Sequence, residues 1–340
     1  MSGCRGSGKA PRSMMRRWLL TKLFAGVSIA LGTSRSRATA RTWDDASINP
    51  ESAGPDFAIQ GEYDGEIIGK GQIGAQVVAE GDGKFMVQFL SGGLPGEGWD
   101  GMSKVAASAR TVNRKTTLQG DGGTGEIVDG KLAGATREGQ QFALTRLTRQ
   151  SPTLGAKPPR GAVVLFDGSS AGEWKGGKLV NGSLLNNGII SRRSFQDFSL
   201  HLEFRLPFMP KARGQARANS GVYVQDRWEV QILDSFGRGT EDNECGAIYA
   251  QFKPLLQMSY PPLSWQTYDI ELQAARFDGD KKLADGLITV KHNGVIIHDH
   301  VNLSKGPTPG GHEEAALPGP IRLQDHGNPV YFRNIWIEKK

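Results

Sequence analysis

From Phe198 to Arg205 every second residue is apolar: Phe198, Leu200, Leu202 and Phe204 alternate with Ser199, His201, Glu203 and Arg205. Successive side chains of an extended chain point to opposite faces, so a period of two predicts a strand with one buried and one wet face. The pattern recurs. Val222 and Val224 alternate with Tyr223 and Gln225; Trp228, Val230 and Ile232 with Glu229 and Gln231; Tyr268, Ile270 and Leu272 with Asp269 and Glu271. Leu287–His292 and Val295–Val301 flank Asn293-Gly294, a tight-hairpin signal, and Val330–Glu338 ends the chain as a strand. Strands of this kind, turned by Gly and Pro, predict an all-β fold whose C-terminal part is a two-sheet sandwich or jelly roll.

The 46 glycines have no collagen period and argue for many tight turns. Residues 57–148 predict a smaller N-terminal antiparallel β domain. There Gln76–Ala79 and Phe85–Phe89 flank Gly81-Asp82-Gly83, Glu126–Val128 and Lys131–Ala133 flank Asp129-Gly130, and Gln141–Leu147 alternates. Residues 41–56 are expected to be a flexible lead-in. Residues 149–160, with Pro152, Gly155 and Pro158-Pro159, form a linker to the domain at 161–340.

The net charge of +6 invites a nucleic-acid reading, but eight of the 41 basic residues and no acidic one lie in residues 1–40. That leaves 33 basic against 35 acidic residues, a body without the basic excess that binds nucleic acid. The leader reads as a secretory signal: Arg16-Arg17, a short apolar run from Leu23 to Leu31, and Ala38-Thr39-Ala40 as a cleavage site. The expected location is therefore periplasmic or extracellular, with membrane contact only through the transient signal. Cys4 falls in the leader, so Cys245 stands alone and reads as a small buried apolar residue.

The polar faces hold the candidate chemistry. If Phe198–Arg205, Ser220–Val224 and Trp228–Ile232 pair in succession, then His201, Glu203, Arg205, Tyr223, Gln225, Glu229 and Gln231 form one patch, since adjacent strands lie about 4.8 Å apart. Carboxylates, a guanidinium, amides and a ring suit a sugar. Asp234 joins that patch through a β-bulge, or simply ends the strand. Glu203 and Arg205 are equally readable as a surface ion pair, and His326, beside Asp325 and Gly327, as a proton carrier or a loop residue. His298 and His300 share a side of their strand, but a metal site there needs further ligands that the sequence does not supply, so no metal or cofactor is implied.

Val164–Gly168, Phe198–Arg205, Asn219–Tyr223, Trp228–Ser235, Gly246–Tyr249, Trp265–Leu272 and Gly319–Ile337 occur in an order that resembles the 3-keto-disaccharide hydrolase family. Gly61–Tyr63, Gly74–Val78 and Gly92–Gly101 are similar to a companion domain found before this one in some exported relatives. The resemblance implies a concanavalin-like jelly roll and a hydrolase or lyase acting on glycosides already oxidised at C3. Such chemistry needs a base near C2, donors near the C3 oxygen and an acid at the leaving oxygen. Glu229, Asp234, His326 and Arg205 are the expected catalytic residues, with Glu203, Tyr223, Gln225, Gln231, Asn219 and Gln324 as substrate contacts. Glu229-x-Gln231-x-x-Asp234 also resembles the E-x-D-x-x-E strand of laminarinase-type glycosidases, with two substitutions that weaken an ordinary retaining mechanism. A non-catalytic carbohydrate-binding protein and an ordinary glycosidase are the alternatives.

Overall fold

The computed structural model describes residues 46–340. The expected signal sequence and Cys4 lie outside the described residues. Within the segment expected as a lead-in, Ser47 pairs with Phe208, Pro50–Ser52 form a 3₁₀ turn capped by the Asn49 side chain, and Gly54–Ile59 form a short helix, α1.

Eight strands follow: β1 (Gly61–Ile67), β2 (Gly71–Gly81), β3 (Lys84–Ser91), β4 (Lys104–Val112), β5 (Lys115–Gly120), β6 (Gly123–Val128), β7 (Lys131–Thr136) and β8 (Gln141–Leu147). Each is antiparallel to the next, and β8 returns to β1, so the N-terminal domain is a closed barrel. The β6–β7 turn uses Asp129 (φ 47°) and Gly130 (φ 73°), the positive-φ pair that a tight hairpin requires. Alternate side chains fill the interior, among them Tyr63, Val77, Val87, Leu118 and Leu132. Phe208, from the C-terminal domain, joins this cluster and meets Phe57 edge-on at 5.5 Å.

The C-terminal domain is a two-sheet antiparallel sandwich. Its strands are β9 (Val163–Phe166), β10 (Trp174–Lys175), β11 (Leu179–Val180), β12 (Leu184–Leu185), β13 (Ile189–Phe195), β14 (Phe198–Arg205), β15 (Ser220–Val224), β16 (Trp228–Ile232), β17 (Trp265–Gln273), β18 (Arg276–Asp278), β19 (Lys281–Ala284), β20 (Leu287–His292), β21 (Val295–Asn302), β22 (Gly319–Leu323) and β23 (Tyr331–Lys339). The smaller sheet runs β10-β13-β22-β15-β16 and the larger β11-β12-β23-β14-β17-β20-β21, with β9 also on β23, while β18 and β19 form a separate hairpin. Leu202 and Phe204 from one sheet share a core with Val222, Trp228 and Val230 from the other.

This topology corrects the expected patch. β14 pairs with β17 and β23, whereas β15 pairs with β16 and β22. Because β14 and β15–β16 turn their apolar residues toward one shared core, their polar residues face away from each other. His201, Glu203 and Arg205 therefore lie on the opposite outer face from Tyr223, Glu229 and Gln231.

Candidate functional site

The outer face of the smaller sheet collects most of the expected residues. Asn219 precedes β15, and Tyr223 stands on it opposite Glu229 of β16 and Arg322 of β22. Gln231 follows Glu229 by one alternation, and Gln324 follows Arg322 by one. The Gln324 backbone N–H donates to the Gly221 carbonyl, which places it beside the middle of β15. Gly221 leaves a gap in this face that the Glu229 carboxyl fills: a Cβ there would lie 1.9 Å from Glu229 Oε1.

Tyr223 Oη donates to Glu229 Oε2 at 2.7 Å and also lies 2.9 Å from the Pro309 carbonyl. The Arg322 guanidinium sits 3.6 Å from the Tyr223 ring centroid. Arg322 is held by Asp226 and by the Gly310 carbonyl at 2.6 Å, and His312 Nδ1 lies 3.0 Å from the other Asp226 oxygen. Burial pushes the Glu229 carboxyl up to about 7, against the smaller opposing pulls of the Tyr223 hydrogen bond and Arg322. The Tyr223 phenol is raised by its own burial and by Glu229. The turn at Thr308–Gly311 covers the pair, with the Glu229 backbone N–H donating to Thr308 Oγ1 at 2.9 Å.

Glu229 Oε1, Gln324 Oε1 and Asn219 Oδ1 are buried acceptors with no donor among the described residues. Buried acceptors are normally satisfied, so three on one face match a partner rich in hydroxyl donors. Asn219 and Gln231 are oriented by Gln215, whose Oε1 receives the Asn219 amide at 2.9 Å and the Gln231 amide at 3.0 Å.

The remaining predicted residues stand elsewhere or are already engaged. His326 is exposed on the turn two residues beyond Gln324; Asn328, further along that turn, accepts the Asn219 backbone N–H at 2.8 Å. Gln225 spends its amide on the Phe195 and Gln196 carbonyls and accepts from Arg227. Asp234 is not returned to the groove by a bulge. It pairs with Arg217 at 2.6 Å, and Arg217 also donates to the Ala79 carbonyl of β2, so this buried pair ties sandwich to barrel. Glu203 binds Arg333 at 2.5 Å, the Gly155 backbone N–H at 2.6 Å and Asn334 at 2.9 Å, which fastens the interdomain linker to the larger sheet. Arg205 stands over Trp265 on that same face. His298 is buried against the Gly246 carbonyl while His300 is exposed, and no group of three or more potential metal ligands occurs among the described residues.

Sequence reasoning missed Arg322, Asp226, Gln215 and the role of Gly221. Arg322 was legible: it shares the face of Gln324 by simple alternation. Asp226 and Gln215 lie in turns, where no period announces a direction.

The two-sheet sandwich with its buried carboxyl–phenol pair among unsatisfied amide acceptors is the part of the chain whose family match places it in the glycosyl-hydrolase-like class. The chain belongs to the 3-keto-alpha-glucoside-1,2-lyase-like domain family, whose model matches residues 161–338. Crystal structures of three proteins described as candidate glycosyl hydrolases, all from Parabacteroides distasonis ATCC 8503, are similar to about half of the chain. The first has 31% identity and a TM-score of 0.49, covering 53% of this chain and 84% of that one. The others have 19% identity with a TM-score of 0.39, covering 53% and 94%, and 22% with 0.37, covering 53% and 100%. No functionally curated protein matches the chain.

Proposed function

We propose that the chain is an exported hydrolase or lyase that cleaves the glycosidic bond of 3-keto-glycosides at the outer face of the smaller sheet. The observation that carries this reading is Glu229: a buried carboxyl raised to about 7, bound by Tyr223 through one oxygen and without a donor on the other. A general base works best when its pKa lies near the operating pH.

A C3 ketone acidifies the C2 proton. Glu229 takes that proton, and the C2–H electrons pass to the C3 oxygen as an enolate. Re-forming the C3 carbonyl moves those electrons into a C1–C2 double bond and expels the C1 oxygen, which takes a proton from an acid. Tyr223 and Arg322 are the donors for the enolate, and His326, on the exposed turn beside Gln324, is the candidate acid. Water adding at C1, with a proton returned to C2, completes net hydrolysis; release before that step makes the protein a lyase. The Thr308–Gly311 turn must lift for a sugar to reach Glu229. An ordinary retaining glycosidase needs two carboxyls about 5 Å apart, whereas the partner of Glu229 is a phenol and Asp234 is held by Arg217.

Incubation with 3-keto-trehalose and with unoxidised trehalose tests the reading. Release of 3-ketoglucose from the first alone is expected, and Glu229→Gln should lower kcat roughly 100- to 10,000-fold. Equal turnover of the unoxidised sugar, or binding without turnover, favours the glycosidase or the lectin instead. N-terminal sequencing of the exported protein, expected to begin after Ala40, tests the leader.

A further inference from the structure

The opposite face of the sandwich carries the complementary chemistry. At the barrel end of the larger sheet, Arg205 of β14 is the register partner of Trp265 on β17 and of Tyr331 on β23. Directly opposed residues share a face, so Trp265, Arg205 and Tyr331 form a row across three strands, and all three are partly exposed. The Trp265 indole N–H, the Arg205 guanidinium and the Tyr331 hydroxyl have no hydrogen-bond acceptor among the described residues. Arg333, in the adjacent row, sits 4.0 Å from the Trp265 ring centroid, and Arg205 sits 5.1 Å from it.

Trp265 also lines a cleft of about 300 Å³ between sandwich and barrel, with Arg146, Arg149, Gln150 and Leu154 among its other walls. Charge around the row and cleft is unbalanced. Arg149 is answered by Glu62 at 2.5 Å and, at 3.8 Å, by exposed Glu97; Arg333 is answered by Glu203. Arg146 donates only to the Gln60 carbonyl, and Arg205 has no carboxylate. Arg205, beside the flat indole, and Arg146, on the cleft wall, are thus left without a counter-charge.

We propose that this row and the cleft it borders form a second carbohydrate site, selective for a sugar that bears a carboxylate, such as a uronic acid unit. A guanidinium meets a carboxylate through two parallel N–H donors, and the indole and phenol supply stacking surface and further donors. Burial, and to a smaller extent the neighbouring Arg333, disfavour the Arg205 charge against the opposing pull of Tyr331, and a bound carboxylate would offset that cost by pairing with it. The choice of a sugar as carrier rests on the function proposed above; the unmatched charge does not.

Titration calorimetry of the full chain with trigalacturonate, galactotriose and sodium acetate tests the site. Trigalacturonate is expected to bind, more weakly as salt rises, with galactotriose and acetate far weaker. Arg205→Gln should weaken trigalacturonate about tenfold or more, and Glu229→Gln should leave it unchanged. Trp265→Phe, which keeps a ring and loses the N–H, should weaken it several-fold and carries the test if Arg205→Gln does not fold. Undiminished binding in the row variants, equal affinity for galactotriose, or loss of binding in Glu229→Gln overturns the proposal. Turnover of 3-keto-trehalose is scored separately, so failure of the activity and failure of this site are distinguishable.

Discussion

Glu229 is ionised in the unfolded chain above about 4.5 but in the folded protein only above about 7. A raised carboxyl pKa contributes stability that is present below the unfolded value and lost as pH rises to the folded one; the difference is worth about 3 kcal/mol. Melting curves between pH 4.5 and 8 should therefore show wild-type stability falling relative to Glu229→Gln as pH rises, while His292 and His298, whose pKa values burial lowers, act in the opposite direction below about 6.5 in both proteins. Two other groups act in the same direction as Glu229: His201, whose burial is outweighed by Asp269 and Glu203, and Glu244, raised by burial. A mutant profile as steep as wild type would place the titration elsewhere. Gly221 supplies an independent check at this scale. In Gly221→Ala the new Cβ meets Glu229 Oε1 at 1.9 Å and its Cδ at 2.7 Å, so the carboxyl must leave its place. Activity should fall roughly 100-fold, since small misplacements of a reacting group cost that much, while the melting temperature moves by only a few degrees. Wild-type turnover in this variant counts against Glu229 as the base.

Among elements, the linker shows what a polar strand face can do other than bind ligand. Ser151 Oγ lies 2.6 Å from Thr267 Oγ1, Thr153 Oγ1 donates to Asp269 at 2.7 Å, and Asn334 and Trp336 donate to the Ala156 carbonyl. His201 Nδ1 meets Asp269 at 2.6 Å and its ring stacks on Trp336. Opposite charges and hydrogen bonds pull Glu203 down to about 2 against its burial, so its contribution is present above about 4.5 and lost as pH falls toward 2. Glu203→Ala should cost about 3 kcal/mol and speed tryptic cleavage after exposed Arg160 of the linker; an unchanged cleavage rate sinks the assignment of Glu203 as the fastener. The alternation of Phe198–Arg205 was fully legible as a strand with Phe198, Leu200, Leu202 and Phe204 in the core, but its polar face was expected to be wet, whereas His201 and Glu203 are buried. Period two says which face a residue takes but not which strand lies beside it. Glu203 and Glu229 were therefore expected together although their sheets lie back to back. Asn219, Tyr223 and Gln231 do converge with Glu229, because of the three strands expected to pair in succession β15 and β16 alone do so; Gln324 joins them because β22 pairs with β15.

For the whole molecule, barrel and sandwich were legible as separate β modules, but their union was not. Closure of the barrel sets Glu62 against Leu147, a pairing across the module that no local pattern records. The joint itself rests on side chains read as ordinary: Phe208 in the barrel's apolar cluster, Arg217 reaching from Asp234 to the Ala79 carbonyl, and Arg149, which pairs with Glu62 of the barrel and lies over the Tyr260 ring of the sandwich. Phe208 is the strongest of these ties, since it is a fully buried ring from one domain completing the core of the other. Phe208→Ala should cost about 3–5 kcal/mol, and the loss should fall on the barrel, whose interior is left with a void, rather than on the sandwich core. Scanning calorimetry is then expected to split one unfolding transition into two, the barrel melting first while 3-keto-sugar turnover persists until the second. A single transition shifted as a unit shows that the remaining ties, Lys211–Asp82 and Arg213 to Glu80 among them, make the domains cooperative without Phe208, and an unshifted one removes Phe208 from the joint.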